Sequence, residues 1–520
     1  MLKIFYEDLY SNGMRSYQLI ITILLLLFTM TDLSAQNSRE LDKIAASQGA
    51  ASQLLFSVDL HKEELIHPSD FERDDECIVR GGIPNFLAKI TNGQDVTVAF
   101  IGGSLTQANY CYRMQMSTYL QARYPSTKFK WVNAGVSGTG TDLGAFRIQE
   151  QVLTQHPDLV IIDFAVNGAY AAGMEGMIRQ IIRHDHHTDI CLIYAILGAH
   201  TKLYRNGKIP SHIGSLEVLA DHYRIPTIHL GMEIADLEFK DKLLWKGDAQ
   251  AAGERILFST DGIHPLKAGG NLYAAAIARG IDKMKGLSGT ASHPLPKPLV
   301  SSEWDIAGMY RPDDIADFDV KWGVISTKES KLKAFNGWFD TVMVAGEEGA
   351  QCSFAFEGDI FGLFDIGGPE VGQLEVWVDD HRISLYKLQS DSFQPYEITT
   401  GDNGNTPLNR FNAYCNNRYR GQYDLIRLPQ GKHEISFRIS ALKADKRLIL
   451  GPSQQEDIVQ HPAKYDSSVI YLGRILLRGK PILKNTRKQE IGDMRPHTYT
   501  SKGSVNRVKL TNTLEYQFNE

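Results

Sequence analysis

A serine, a histidine and an aspartate, far apart along the chain, carry the residue types that acyl chemistry needs. Ser104 stands in Gly102-Gly103-Ser104-Leu105-Thr106, after an apolar run and ahead of a helical pattern. A small-residue turn there lifts the hydroxyl to the carboxyl edge of a sheet, and the start of the helix aims N–H groups at developing negative charge. Taken alone, Gly-Gly-Ser also fits a tight connection or a phosphate cradle. A serine nucleophile needs a base within hydrogen-bond reach, and the base needs an acceptor to hold its ring. Asp261-Gly262-Ile263-His264-Pro265 offers both from one turn, although an ordinary helix entry has the same spelling. Acyl transfer also needs donors aimed at the tetrahedral oxygen. The backbone N–H groups of Ser104 and Gly138 and the side-chain amide of Asn167 can supply them, from Asn133-Ala134-Gly135-Val136-Ser137-Gly138 and Ala165-Val166-Asn167-Gly168. Read singly, these stretches are the turn chemistry of glycine and asparagine. Read together, they set a nucleophile, donors and a base at one edge of one sheet, in that order along the chain.

The elements that must position them are legible in the apolar pattern. Val96–Ile101, Phe129–Val132, Leu159–Phe164, Ile190–Ile196 and Pro226–Leu230 are short, nearly continuous apolar runs. Helical spacing follows over Thr106–Arg123, Met174–Arg183, His212–Tyr223 and Gly269–Lys285. Strands of this kind alternating with helices predict a parallel sheet covered on both faces, the three-layer α/β class. Residues 36–90 read as a leader packing on this catalytic domain, which spans 91–287. Residues 288–304, rich in Pro and Ser, read as an interdomain linker. From 305 to 483 the pattern is of strands: Gln351–Gly358, Gln373–Asp379, His433–Ser440 and Val469–Gly479. Turn signals stand at Gly367-Gly368-Pro369, Gly401-Asp402-Asn403-Gly404 and Pro429-Gln430-Gly431. Many short strands with such turns predict an all-β sandwich, jelly-roll-like. The polar residues 484–520 read as a tail.

In the order Ser, Gly, Asn and Asp-x-x-His, the four stretches resemble the conserved blocks of the SGNH, or GDSL-like, hydrolases. The resemblance covers roughly residues 80–285. It implies a flavodoxin-like α/β/α fold and ester hydrolysis without a metal or other cofactor. It further implies Ser104 as nucleophile, His264 as base, Asp261 as the residue that orients the base, and Ser104, Gly138 and Asn167 as the oxyanion hole. The stretch from Asn133 through Gly144-Ala145-Phe146-Arg147 to Asp158–Asn167 is similar to a subgroup with a Gly-Gly-Ser block and an added sandwich domain, many of whose members look like carbohydrate esterases. Two departures stand out: Gly103 where the family name has Asp, and Gly168 where Asp usually follows Asn.

Asn109, Tyr110, Arg113 and Arg147 are candidates to line the substrate pocket, with a helix-surface role, a core role or an ordinary ion pair as the alternatives. His184-Asp185-His186-His187 lacks the i, i+4 spacing of helical metal ligands, and no metal site is expected. Trp338, Phe339, Trp377, Tyr414 and Tyr419 are a possible sugar-stacking platform, with core packing as the stronger reading.

The 520 residues are 43% hydrophobic and 22% charged, with a net charge of -6. That balance gives no reason to expect nucleic acid or an anionic membrane as partner. Residues 1–35 read as a secretory signal: Met14-Arg15, an apolar run over Ile20–Phe28, and Ala35 before a polar stretch. Met14 is an alternative start. The run is short of the roughly 20 residues of a comfortable span, so no stable membrane partner is expected after cleavage. Periplasmic, cell-surface or secreted placement follows. Of the five cysteines, Cys352 and Cys415 are the pair most suited to a disulfide, with free thiols buried as small hydrophobes as the equal alternative. The leading functional expectation is an exported esterase acting on acylated, chiefly acetylated, polysaccharide or oligosaccharide. The alternatives are a lipid-directed acyl hydrolase or thioesterase, and a carbohydrate-binding protein with a decayed hydrolase domain.

Overall fold

The computed structural model describes residues 51–62, 64–387, 395–399 and 406–483. The expected signal, the first part of the leader, the turn at Gly401–Gly404 and the tail from 484 lie outside the described residues. Among the described residues no helix is long and apolar enough to cross a membrane.

The α/β expectation holds. The first sheet has seven strands: β1 (Leu55–Phe56), β2 (Cys77–Ile78), β3 (Val96–Gly102), β4 (Phe129–Gly135), β5 (Leu159–Asp163), β6 (Asp189–Tyr194) and β7 (Thr227–His229). Their spatial order is β1-β4-β3-β5-β6-β7-β2. The five central strands are parallel, and β1 and β2 pair antiparallel at the two edges. Counted along the chain, the parallel strands run 2-1-3-4-5, the flavodoxin-like order. The order reverses beside β3, so its carboxyl end opens on a crevice, and Ser104 follows β3 directly. The leader thus supplies both edge strands and closes off their unpaired backbone groups.

Side chains alternate across the sheet. Val98, Phe100, Ile161 and Ile193 enter the core on one face, and Ala99, Ile101, Ile162 and Leu192 the core on the other. Helical spacing over Thr106–Arg123 is broken in the structure into Ser104–Gln107 and Arg113–Arg123. Ala108 turns extended (φ -69°, ψ 143°), and the carbonyls it leaves at the end of the first helix find a donor in Arg113, as described below.

The second domain is all-β. Gln351–Gly367 and Arg420–Ile439 pair antiparallel along nearly their whole length, and Ile470–Ile482 takes the other edge of the first. The expected turn at Pro429-Gln430-Gly431 is instead an irregularity inside one long strand. Gly358 faces Gly431 and Ile360 faces Arg427, so three residues oppose one. Proline is tolerated in a strand at such a bulge because no ladder hydrogen bond is asked of it there.

The stretch 288–304 carries no strand and is firmly tied to the first domain. The Glu175 carboxylate accepts from the N–H groups of Leu299, Val300 and Ser301 at 2.5, 2.8 and 2.9 Å. Arg179 spans Asp305 and the Pro296 carbonyl. Further on, the two domains share one apolar core, in which Phe146 meets Trp304 edge-on at 5.4 Å. The helix Thr141–Gln151 is gripped by the second domain at both ends. Tyr423 Oη donates to Asp142 Oδ2 at 2.9 Å, and the Arg474 guanidinium meets the Glu150 carboxylate at 2.8 to 3.2 Å.

Cys352 and Cys415, the pair most suited to a disulfide, do not form one. Both are buried thiols, held in separate apolar clusters, and the other three cysteines are buried thiols as well. Trp338 and Phe339 are core residues.

Candidate active site

Close approach explains the glycines before Ser104. A Cβ at Gly102 would stand 2.4 Å from the Asp163 carbonyl oxygen, and one at Gly103 would stand 2.6 Å from Asn167 Oδ1. The turn is held from beneath by two buried arginines. Arg113 Nε donates to the Thr106 carbonyl at 2.9 Å, and its Nη2 to Gln107 O at 3.3 Å and Asn109 Oδ1 at 2.6 Å. Arg147 Nη2 donates to Gly102 O at 3.0 Å, and its Nη1 to Ala134 O and Gln151 Oε1. Both side chains are 0% exposed. This corrects the expectation that they line the substrate pocket: neither can reach a ligand, and both satisfy main-chain carbonyls at the ends of strands and of a short helix. Asn109 and Tyr110 remain exposed at the rim, although Asn109 is also spent on holding Arg113.

The imidazole of His264 bridges serine and carboxylate. Its Nε2 lies 2.8 Å from Ser104 Oγ and its Nδ1 lies 2.8 Å from Asp261 Oδ2. Because a carboxylate only accepts, Nδ1 carries the ring proton and Nε2 presents its lone pair to the serine O–H. Asp261 Oδ1 accepts from the backbone N–H groups of Ile263 and His264, both at 2.8 Å, and from Ser259 Oγ at 2.9 Å. Burial works against the charge on Asp261. The bonds from the His264 ring and from these two N–H groups outweigh it and hold the carboxyl well below its usual range. Gly262 turns between the two at φ 87°, and its carbonyl accepts from Trp245 Nε1 at 3.0 Å. Trp245 in turn stacks on Phe258 at 4.3 Å. Sequence reasoning missed Trp245; an indole on the run just before an Asp-x-x-His loop was the available signal.

The loops of Gly138 and Asn167 are tied to the helix of Ser104 and to each other. Gln107 Oε1 accepts from Ser137 N and Ser137 Oγ at 2.8 and 2.6 Å, directly before Gly138. Gly138 has φ 70°, a left-handed conformation that suits glycine. The Thr141 N–H donates to the Gly168 carbonyl at 3.1 Å, joining the second block to the third. Asn167 lies with its side-chain amide against Gly103. Gly168, where the resemblance led one to expect Asp, has φ 51°, which accounts for glycine there. The structure therefore brings Ser104, Asp261, His264 and Asn167 to one rim, with Gly138 on a loop braced against the same short helix.

Asp163 closes β5 beneath this rim, fully buried, and its Oδ1 has no hydrogen-bond partner among the described residues. Burial pushes its carboxyl up from 3.8 to about 7. A carboxyl held higher in the folded state favours folding fully below its unfolded value, and that stability is lost as pH rises through the folded one. The loss amounts to at most about 4 kcal/mol at alkaline pH. Asp163→Asn is thus expected to raise Tm at pH 8 relative to the parent by clearly more than at pH 5. Thermal melts showing the same difference at both pH values would refute a strained charge at this position.

No protein-family model matches the chain, and neither does any curated protein. Among solved structures, a two-domain esterase active on acetylated mannans is similar over 79% of this chain and 98% of its own, with TM-score 0.55 and 17% identity. The same esterase co-crystallised with mannopentaose gives 77% and 94%, TM-score 0.54 and 18% identity. An acetylxylan esterase from Geobacillus stearothermophilus matches over 36% of this chain and 94% of its own, with TM-score 0.27 and 22% identity. At these identities the likeness is one of fold, and it spans both domains. By that shared architecture the chain is similar in fold to a two-domain esterase along most of both chains.

Proposed function

We propose that the protein is an exported serine esterase that removes acyl groups, chiefly acetyl, from carbohydrate. The observation that carries this reading is the unbroken hydrogen-bonded chain from Ser104 Oγ through His264 to Asp261. In this reading His264 Nε2 takes the serine proton as Oγ attacks the ester carbonyl. The oxyanion forms against the N–H groups of Ser104 and Gly138 and the amide of Asn167. The imidazolium, steadied by Asp261, gives its proton to the departing sugar oxygen, and water then frees acetate from the acyl-serine by the same route in reverse. Support for a carbohydrate substrate comes from the two-domain esterase similar over both domains, which acts on acetylated mannans. Support for export comes from the apolar pattern of the N-terminus.

An ester series gives the test. Activated acetyl, butyryl and octanoyl esters are compared, followed by acetylated mannan and xylan with acetate as the readout. Acetyl is expected to lead, with kcat/KM falling roughly 10-fold or more toward octanoyl, as a small acyl pocket rejects added methylenes. A rate that rises with acyl length overturns this reading in favour of a lipid-directed hydrolase. Absence of turnover with glycan binding retained overturns it in favour of a carbohydrate-binding protein.

A further inference from the structure

We propose that His200 and His212 form a subsite for uncharged sugar hydroxyls beside the catalytic serine; the inference rests on the esterase reading above and extends it. His200 ends the short turn Gly198–His200 after β6, and His212 lies in the first turn of the helix Ser211–Tyr223. Their rings are 5.5 Å apart, centroid to centroid, and both are half-buried.

The pair belongs to the rim already described. His212 Nε2 lies 2.8 Å from the carbonyl oxygen of Ala165, in the loop that leads to Asn167. On its other side the turn of His200 abuts the Asp-x-x-His loop. A Cβ at Gly198 would stand 2.5 Å from Trp245 Nε1, and that same nitrogen donates to Gly262, between Asp261 and His264. The turn is therefore bracketed between the Asn167 loop and the His264 loop.

The hydrogen bonds fix what each ring offers. A carbonyl only accepts, so His212 Nε2 carries a proton and, in the neutral ring, Nδ1 is an acceptor. His200 Nδ1 accepts from the Leu197 N–H at 3.3 Å, so the proton of the neutral ring stands on Nε2, a donor. Burial pulls His200 down to about 4, helped by the neighbouring His212, and burial pulls His212 down as well. Burial thus favours the uncharged form of both rings. His200 Nε2 and His212 Nδ1 have no protein partner among the described residues, and neither is closed off from solvent. One donor and one acceptor, side by side and neutral, match adjacent sugar hydroxyls, each of which can donate and accept. They do not compensate a phosphate or carboxylate. Nor do they suit a cation: His200 Nε2 is protonated, and no group of three metal-ligating side chains occurs among the described residues.

The experiment compares two substrates in each variant: 4-nitrophenyl acetate, and whichever of acetylated mannan or xylan oligosaccharide the wild type deacetylates. The readout is the ratio of kcat/KM for the glycan to kcat/KM for the aryl acetate. His200→Phe and His212→Phe are each expected to lower that ratio about 3- to 10-fold, the worth of one hydrogen bond, mainly through KM for the glycan. His200→Gln, which again offers an N–H donor, is expected to recover most of the loss, and Tm values identify any variant that misfolds. An unchanged ratio in both Phe variants overturns the subsite while turnover of the aryl acetate keeps the esterase reading intact. A wild type that hydrolyses neither substrate overturns both.

Discussion

Ser104→Ala is expected to leave a folded protein whose turnover of an activated acetyl ester falls roughly 10⁴- to 10⁶-fold, the loss typical of a removed triad nucleophile. The side chain is 5% exposed and sits at the first position of a short helix, where alanine is well accommodated. The turn itself does not depend on the hydroxyl. Arg147 holds the Gly102 carbonyl, Arg113 holds those of Thr106 and Gln107, and Gln107 braces Ser137, and none of these bonds uses Ser104 Oγ. Loss of rate with an unchanged melt is therefore the specific signature. Residual activity within tenfold of the parent, measured on protein freed of contaminating esterase, would remove Ser104 from the chemistry.

The base and its partner are expected to differ in a definite order. His264→Ala removes the one group among the described residues that is hydrogen-bonded to Ser104 Oγ and can accept its proton, with a loss of about 10⁶-fold in kcat. Asp261→Asn is expected to cost less, roughly 10⁴-fold. The replacement Oδ1 keeps its bonds from Ile263, His264 and Ser259, which leaves the amide nitrogen facing His264 Nδ1. An N–H donor there favours the tautomer with its proton on Nε2, and such a ring cannot accept from serine. The pair of kcat values checks the ordering; equal losses, or a mild effect of His264→Ala, would contradict the roles assigned.

That Ser104, Asn167, Asp261 and His264 gather at one rim was legible in the sequence because each is announced locally. Strands β3 to β7 read as apolar runs since a parallel sheet buries both faces. Asp261 and His264 are spaced so that one turn delivers both. The supports beneath were not legible, because their spelling points elsewhere. Arg113 and Arg147 carry the charge of surface residues, and only the fold shows that distant carbonyls, such as Gly102 for Arg147, need the donors they bring. The helical pattern over Thr106–Arg123 could not show its break at Ala108, since the residues after it keep the same apolar period. Pro429 and Gly431 read as a turn because a bulge in a long strand uses the same residue types. His200 and His212 lie in separate elements, and only the fold brings their rings to 5.5 Å.

The helix Thr141–Gln151, held by Tyr423 at one end and Arg474 at the other, ties the late part of the chain to the loops around Ser104. Its first turn continues the loop that carries Gly138, and Asp142, which Tyr423 grasps, lies one residue beyond the Thr141 that joins this loop to Gly168. Under the proposed mechanism, a shift of the sandwich would travel along this rod as a change in the aim of Gly138 at the oxyanion, which would make the second domain the mount of an optical bench, on which alignment matters more than contact with the beam.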